Sequence, residues 1–255
     1  MKGLFYSALV LMIMAAGCTN TAEKKPLDKP SGENGLKEGT LTFPSKDSIK
    51  ISADFYPCDD ARAIIIMGHQ AGFSRGEYVN IAPRLVDSGY ACLAVDLRSG
   101  RAVEGKENRT FLAATKAGKP TKYIHAKQDL EAAIDFVAAN SDKPIILWGS
   151  SYSASLALMV GNKDNRVKQI VAISPGEYFN NQSTVKAGVL GLNKPTFITA
   201  SNMEWDYTAK NIVGVIPEHS VVAFKPEYPT DHGSKALWPN APGSDRLFKE
   251  IFEFL

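Results

Sequence analysis

A chain of 255 residues, 44% of them hydrophobic and 22% charged, contains enough apolar surface to bury one substantial core. Its 29 Lys and Arg residues and 27 Asp and Glu residues leave a formal net charge of +2. The composition therefore excludes a disordered or fibrous protein. Because the chain also has no long block of one charge sign, a nucleic-acid-binding stripe is not indicated, and no nucleic-acid partner is expected.

The N-terminus has the pattern of an export signal. Lys2 is followed by an apolar run at residues 4–16, shorter than the roughly 20 residues that a membrane-spanning helix needs. The run leads into Ala-Ala-Gly-Cys at residues 15–18, which resembles the lipobox of bacterial lipoproteins. This resemblance implies a signal peptide at 1–17 and a lipid on Cys18. The lipid would anchor the protein to a membrane of the bacterial cell envelope, facing the periplasm or the surface. An ordinary secretory signal is the alternative.

Residues 18–39 separate this signal from the rest of the chain. They are rich in Lys, Glu, Pro, Gly and Asn and poor in large apolar residues, which is typical of a flexible tether. One folded domain is therefore expected at 40–255. Its two cysteines, Cys58 and Cys92, are compatible with either a disulfide or two separate thiols.

Within this domain, strand patterns alternate with helix patterns. The first two predicted strands alternate apolar and polar residues, whereas the later strands are continuously apolar, as in a sheet covered on both faces. The predicted strands are 40–43, 49–56, 63–67, 91–95, 145–148, 167–173, 196–200 and 221–224. The predicted helices are 78–87, 124–139, 152–161, 206–213 and 245–254. This order predicts an α/β fold with a mostly parallel eight-stranded sheet and helices on both faces.

The chain is organised around residues 149–153, Gly-Ser-Ser-Tyr-Ser, which join a predicted strand to a predicted helix. Ser151 is at the turn, where a sharp reversal would lift its hydroxyl group over the end of the sheet. The string resembles the nucleophile elbow G-x-S-x-G of the α/β-hydrolase family, with Ser153 in place of the last glycine. The resemblance implies the α/β-hydrolase fold and a nucleophilic Ser151.

A second motif follows the strand predicted at 63–67. Residues 68–72, Gly-His-Gln-Ala-Gly, resemble the segment that contributes to the oxyanion hole in dienelactone-hydrolase-like esterases. The resemblance implies that the backbone N–H groups of Gln70 and Tyr152 hold the oxyanion. It also implies that His69 is structural and orients the loop.

The acid and the base are expected after later strands. The family pattern implies Glu204 as the acid, with Asp206 as the alternative; Asp206 is also suited to cap the next helix. Of the four histidines, only His232 falls in the loop after the last strand. The order Ser151, Glu204, His232 is that of the α/β-hydrolases.

These residues together indicate a serine hydrolase that cleaves a small-molecule carboxylic ester through an acyl-enzyme intermediate. A serine peptidase of the same fold and a non-catalytic surface lipoprotein of this fold are the alternatives. No metal or cofactor motif is found in the sequence. The interval 174–194 is too short for a large cap domain. The long stretch 101–123 is expected either to border the substrate pocket or to be flexible.

Overall fold

The computed structural model describes Met1, residues 36–179, Asn181 and residues 183–255. At its centre is one sheet of eight strands. Every position of β3, β4 and β5 is buried, which explains their continuously apolar sequences. The strands are β1 (Gly39–Pro44), β2 (Lys50–Tyr56), β3 (Ile64–Gly68), β4 (Ala91–Val95), β5 (Ile145–Ser150), β6 (Val167–Ile173), β7 (Thr196–Thr199) and β8 (Val221–Phe224).

The strand order across the sheet is β1-β2-β4-β3-β5-β6-β7-β8. β2 pairs antiparallel with both β1 and β4, whereas every other neighbouring pair is parallel. The predicted eight-stranded, mostly parallel sheet is therefore confirmed. In the described part of the connection between β6 and β7 there is one short helix and no cap domain.

Helices cover both faces of the sheet, and β5 shows how one strand serves two cores. Trp148 packs on one face with Leu85 and Phe248, while Leu147 packs on the other with Leu130, because successive side chains of a strand point to opposite faces. The helices are α1 (Ala82–Asp87), α2 (Arg109–Lys116), α3 (Lys127–Asn140), α4 (Tyr152–Lys163), α5 (Thr184–Val189), α6 (Ala209–Val213) and α7 (Ser244–Phe254).

The structure differs from the predicted elements in several places. α2 lies within the stretch that showed no periodicity; its start is capped by Asn108, whose side-chain oxygen accepts the Phe111 N–H at 2.8 Å. α5 was not predicted. The helix expected over 78–87 begins only at Ala82: residues 75–78 form a 3₁₀ turn, and α1 starts with Pro83 in its first turn. The helices expected over 124–139 and 206–213 likewise begin later, at Lys127 and Ala209.

The N-terminal predictions fall outside the described residues. These include the signal peptide at 1–17, most of the tether and the lipid on Cys18, and all three remain predictions. No helix among the described residues has the length and apolar character needed to cross a membrane. Cys58 and Cys92 are both free thiols, which decides between the two arrangements that the sequence left open.

Candidate active site

Ser151 lies at the turn between β5 and α4. Its φ of 58° and ψ of −123° belong to a region that residues other than glycine rarely adopt. The Ser151 N–H donates to the Ile173 carbonyl oxygen at 2.8 Å, which fixes the turn against β6. The strained turn therefore holds one hydroxyl group at the carboxyl end of the sheet.

Ser153 stands where the elbow pattern has its last glycine. Its hydroxyl group accepts the Ser150 N–H at 2.8 Å and donates to the Gly68 carbonyl oxygen at 2.7 Å. A Cβ atom at Gly149 would overlap the Ser153 carbonyl oxygen, so strand and helix approach closely here. Serine at position 153 therefore preserves the close contact and adds a link between β5 and β3.

Glu204, after β7, and His232, after β8, form a hydrogen-bonded pair. The distance from His232 Nδ1 to Glu204 Oε2 is 2.6 Å. Glu204 Oε1 accepts the Ser174 hydroxyl at 2.5 Å and the Ser201 N–H at 3.1 Å. Burial raises the pKa of the Glu204 carboxyl, but the hydrogen bonds from His232 and Ser174 outweigh it and hold this pKa below its usual value. Glu204 is therefore ionised at neutral pH and orients the imidazole ring.

Asp206, the alternative acid, contacts two lysines instead. Its carboxylate lies 2.9 Å from Lys225 Nζ and 3.2 Å from Lys210 Nζ, and the side chain is 49% exposed. Asp206 does not cap a helix either, because α6 begins at Ala209 with Thr208 as its N-cap. The structure thus brings Glu204, and not Asp206, against the histidine.

The sequence analysis missed Ser174, which connects the acid to the loop of the base. Besides donating to Glu204, its hydroxyl oxygen accepts the N–H of Gly233, the residue after His232, at 3.0 Å. Its φ of 57° marks a second strained turn at this edge of the sheet. The signal available in the sequence was its position, since Ser174 directly follows a buried strand.

No hydrogen bond joins the side chains of Ser151 and His232 within the part of the chain that the structure describes. Ser151 instead lies beside Tyr178. The Tyr178 hydroxyl group donates to the Ser174 carbonyl oxygen at 2.9 Å. Burial and the Glu204 carboxylate raise the pKa of Tyr178 to about 12, and the neighbouring Ser151 hydroxyl group opposes this rise. Contacts between nucleophile and base are often long or poorly aligned in hydrolases without substrate, so the open contact is compatible with such a pair.

The N–H of Gln70, predicted to hold an oxyanion, is already engaged. It donates to Glu77 Oε2 at 2.7 Å, and Gln70 Nε2 donates to Glu77 Oε1 at 3.2 Å. Among the described residues, neither the Ala71 N–H nor the Tyr152 N–H has an acceptor. Glu77 lies seven positions beyond Gln70, and no short motif predicts that its carboxylate turns back onto the loop.

His69 is buried below this loop and is held on both ring nitrogens. Nδ1 lies 2.8 Å from the Gln70 carbonyl oxygen, which assigns a proton to Nδ1, and Nε2 accepts the Leu97 N–H at 2.9 Å. Burial lowers the pKa of His69 to about 4, so the ring stays neutral at physiological pH. These contacts suit a residue that orients the loop.

A cavity of about 580 Å³ lies beside the elbow. Tyr178, which contacts Ser151, borders it, and Tyr123 on its wall stacks on Tyr152 with ring centroids 4.5 Å apart. The stretch that lacked periodicity therefore contributes to the pocket. The described lining residues, none of which is acidic, are Ser99, Thr121, Lys122, Tyr123, Ile124, Tyr178, Phe179, Asn181 and Thr184.

The sheet order, with a serine on a strained turn after β5, a carboxylate after β7 and a histidine after β8, is that of an α/β-hydrolase. A family model described as serine aminopeptidase, S33, matches residues 59–211, which is more than half of the chain. The chain therefore belongs to this family of hydrolases. The matched segment contains Ser151 and Glu204, and His232 lies beyond it.

Individual proteins are also similar to this chain. The quorum-quenching protein AidA of Acinetobacter baumannii is 29% identical over 145 residues, which are 53% of this chain and 43% of that relative. The chain thus spans less than half the length of AidA.

Two solved structures have the same fold. The esterase Pf2001 of Pyrococcus furiosus superposes with a TM-score of 0.63 at 18% identity, covering 86% of this chain and 92% of the esterase. A dienelactone hydrolase of Anabaena variabilis gives a TM-score of 0.64 at 14% identity, with 87% and 97% covered. At such low identity, the likeness shows the fold alone.

Proposed function

We propose that this protein hydrolyses carboxylic esters through an acyl-enzyme intermediate. Ser151 is the nucleophile, His232 the general base and Glu204 the acid that orients the base. The observation that carries the proposal is the 2.6 Å hydrogen bond between Glu204 and His232, at the edge of the sheet where the strained turn presents Ser151.

In the proposed reaction, Glu204 accepts a hydrogen bond from Nδ1–H of His232, which leaves an electron pair on Nε2. Nε2 removes the hydroxyl proton of Ser151 while the serine oxygen attacks the ester carbonyl carbon. The imidazolium gives this proton to the departing alcohol, and the acyl group remains on Ser151. The same nitrogen then deprotonates a water molecule that attacks the acyl-enzyme, and the imidazolium returns this proton to the Ser151 oxygen as the carboxylic acid leaves.

Two backbone donors support stabilisation of the oxyanion. The Tyr152 N–H lies at the start of α4, where the helix dipole favours negative charge. The Ala71 N–H follows the engaged Gln70 N–H in the loop after β3. We assign the oxyanion hole to Tyr152 and Ala71, because both donors lack an acceptor among the described residues. Loss of one such donor costs on the order of 100-fold to 1,000-fold in turnover.

The cavity favours a neutral, apolar acyl group as the bound part of the substrate. Its walls include the side chains of Tyr123, Ile124 and Phe179, and pockets of this size and character bind apolar groups. A carboxylic ester with a short to medium acyl chain fits this description.

A serine peptidase is the second candidate, because the family model that matches residues 59–211 is described as a serine aminopeptidase. An aminopeptidase must bind a positively charged amino group, and a carboxylate is the usual partner for such a group. None of the described residues that line the cavity is Asp or Glu, and Lys122 is among them. This charge pattern favours the ester over the peptide.

We also propose that the N-terminal signal places the enzyme in the cell envelope. Cleavage before Cys18 and acylation of this residue would attach the protein to a membrane, since lipid chains anchor proteins without a spanning helix. Growth of producing cells with radioactive palmitate should label the wild type and not the Cys18→Ala variant. Equal labelling of both would contradict the anchor.

Intact-mass measurement after exposure to a fluorophosphonate tests the catalytic serine. We expect one adduct on the wild type and none on the Ser151→Ala and His232→Ala variants. The His219→Ala variant is the matched control, because His219 is exposed and contacts Asn193 instead of the site. A folded wild-type protein that forms no adduct would favour a non-catalytic binding lipoprotein of this fold. Turnover of p-nitrophenyl esters against aminoacyl p-nitroanilides then separates esterase from aminopeptidase.

A further inference from the structure

Glu77 is a fully buried carboxylate next to the nucleophile elbow, and the catalytic steps above do not use it. Its side chain is 0% exposed, and among the described residues no Lys or Arg forms a salt bridge with it. A buried charge without a cation is costly unless several hydrogen bonds stabilise it. Such a group therefore needs a reason for its presence.

The two oxygens of Glu77 receive donors from two segments of the site. Oε2 accepts the Gln70 N–H at 2.7 Å, directly before Ala71 in the loop after β3. Oε1 accepts the hydroxyl group of Ser150 at 2.8 Å, one residue before the nucleophile, and Gln70 Nε2 at 3.2 Å. One carboxylate thus joins the proposed oxyanion loop to the elbow.

Ser150 extends this connection to the loop of the base. Its hydroxyl oxygen accepts the N–H of Ser234, two residues after His232, at 2.7 Å. The intervening Gly233, with φ +66°, is pressed so closely against the elbow that a Cβ atom would lie 2.5 Å from Ser150 Oγ. On the same side, Trp238 Nε1 donates to the Glu77 carbonyl oxygen at 2.9 Å.

We propose that Glu77 is a positioning residue whose ionised carboxylate holds the oxyanion loop, the nucleophile elbow and the His232 loop in register for catalysis. The inference rests on the proposed hydrolase function and adds to it a group that acts only through other residues. Preorganisation of this kind matters because misplacement by about 1 Å can cost on the order of 100-fold in rate.

The hydrogen-bond geometry suits the carboxylate form, because both oxygens accept. Three donors meet them: the Gln70 N–H, Gln70 Nε2 and the Ser150 hydroxyl group, whose oxygen in turn accepts the Ser234 N–H. A glutamine side chain has one oxygen and one NH₂ group, so either of its orientations sets a donor against a donor. A protonated carboxyl group must place its own proton, so the Ser150 hydroxyl group would have to turn away and accept it. Neutral Glu77 would therefore exchange or lose at least one of these hydrogen bonds.

The groups that interact electrostatically with Glu77 are His232 in the loop after β8, Tyr152 at the start of α4 and the neighbouring Tyr78. Burial raises the pKa of both tyrosines well above 10, so both are neutral. Burial also raises the pKa of Glu77 to about 7, against the opposing effects of its hydrogen bonds and of His232. Acidification below neutrality should therefore protonate Glu77 and change these hydrogen bonds, although the neutral carboxyl group is the form that burial favours.

The test compares the Glu77→Gln variant with the wild type and with Glu218→Gln, which neutralises an exposed carboxylate. We expect the Glu77→Gln variant to fold, to keep KM within about twofold, and to lose roughly 10-fold to 100-fold in kcat, as expected for a lost hydrogen bond to a charged group. Its fluorophosphonate adduct on Ser151 should form more slowly by a similar factor. The acid limb of its pH profile should also be less steep, because one ionisation has been removed. The Glu218→Gln variant should match the wild type throughout.

The Ser150→Ala variant removes the hydroxyl group that donates to Glu77. It tests the positioning role of Glu77 even if the Glu77→Gln variant fails to fold. It should show the same selective loss in kcat, and the double variant should lose much less than the product of the two single effects. An unchanged kcat and labelling rate in either single variant, or independent effects in the double variant, would overturn the inference. A wild-type protein that forms no adduct would instead overturn the hydrolase function, and this inference with it.

Discussion

Two glutamates serve the nucleophile elbow in contrasting surroundings. Glu204 is partly exposed and hydrogen-bonded to His232, and its pKa lies below the usual value. Glu77 is completely buried among uncharged donors, and burial raises its pKa to about 7. The same functional group is thus firmly ionised on one side of the site and close to its titration point on the other.

The contrast follows from the donors that each carboxylate receives. Glu204 accepts from an imidazole that becomes positively charged during the proposed reaction, so its negative charge is stabilised when it is needed. Glu77 accepts from backbone, amide and hydroxyl groups, which only partly offset its burial. The first arrangement suits a member of a catalytic triad, and the second suits a group that holds segments together.

The largest effect is expected from replacing Glu204, the partly exposed glutamate. The Glu204→Gln variant should lose on the order of 10,000-fold in kcat, because an amide cannot hold His232 in the tautomer that accepts the Ser151 proton. The matched variant Asp206→Asn should retain wild-type kcat, since Asp206 contacts Lys225 and Lys210. Steady-state turnover of a p-nitrophenyl ester measures both. Loss of activity in the Asp206 variant alone would reverse the assignment of the acid.

Burial of Glu77 predicts that the free energy of unfolding depends on pH. The pKa of Glu77 rises from 4.5 in the unfolded chain to about 7 in the folded protein, so the folded state binds a proton more readily. As pH rises from 4.5 through 7, the free energy of unfolding of the wild type should fall by about 3 kcal/mol relative to the Glu77→Gln variant. Glu204, with its lowered pKa, contributes in the opposite sense: its stabilisation is present above pH 4.5 and is lost as pH falls below it.

Urea denaturation of the wild type, Glu77→Gln and Glu218→Gln at several pH values between 4.5 and 8 isolates the contribution of Glu77. The other ionisable groups are common to the wild type and the Glu77→Gln variant, so their contributions to the pH dependence cancel in the difference between the two. A difference between wild type and Glu77→Gln that stays constant over this range would contradict the raised pKa.

A smaller effect is expected at Ser153, which links β3 and β5 behind the elbow. The Ser153→Ala variant leaves the buried N–H of Ser150 and the carbonyl oxygen of Gly68 without this partner. We expect a loss of about 1–3 kcal/mol in the free energy of unfolding, with KM little changed. Chemical denaturation measures this loss. A fully stable variant would show that the hydroxyl group only fills the place of the family's glycine.

The resemblance to the α/β-hydrolases led to Ser151, Glu204 and His232, and it could be applied because the strands before these residues are recognisable from their apolar patterns. In a parallel sheet, the carboxyl ends of those strands meet at one edge. Glu77 could not be found in this way, since its role depends on a carboxylate that folds back onto Gln70 and Ser150. The same limit applies to Ser174, whose hydroxyl group joins two loops that are distant in sequence.

The smallest effect is expected from a substitution in the wall of the cavity. Phe179 forms part of its apolar wall, and removing the ring in Phe179→Ala reduces the apolar surface that an acyl chain can cover. We expect KM for a p-nitrophenyl octanoate to rise about fivefold, the equivalent of about 1 kcal/mol of lost burial. KM for the acetate should change much less, because a two-carbon acyl group has little apolar surface to bury. An equal rise for both esters would place the acyl chain elsewhere, whereas a rise for the octanoate alone would assign the cavity to the acyl group.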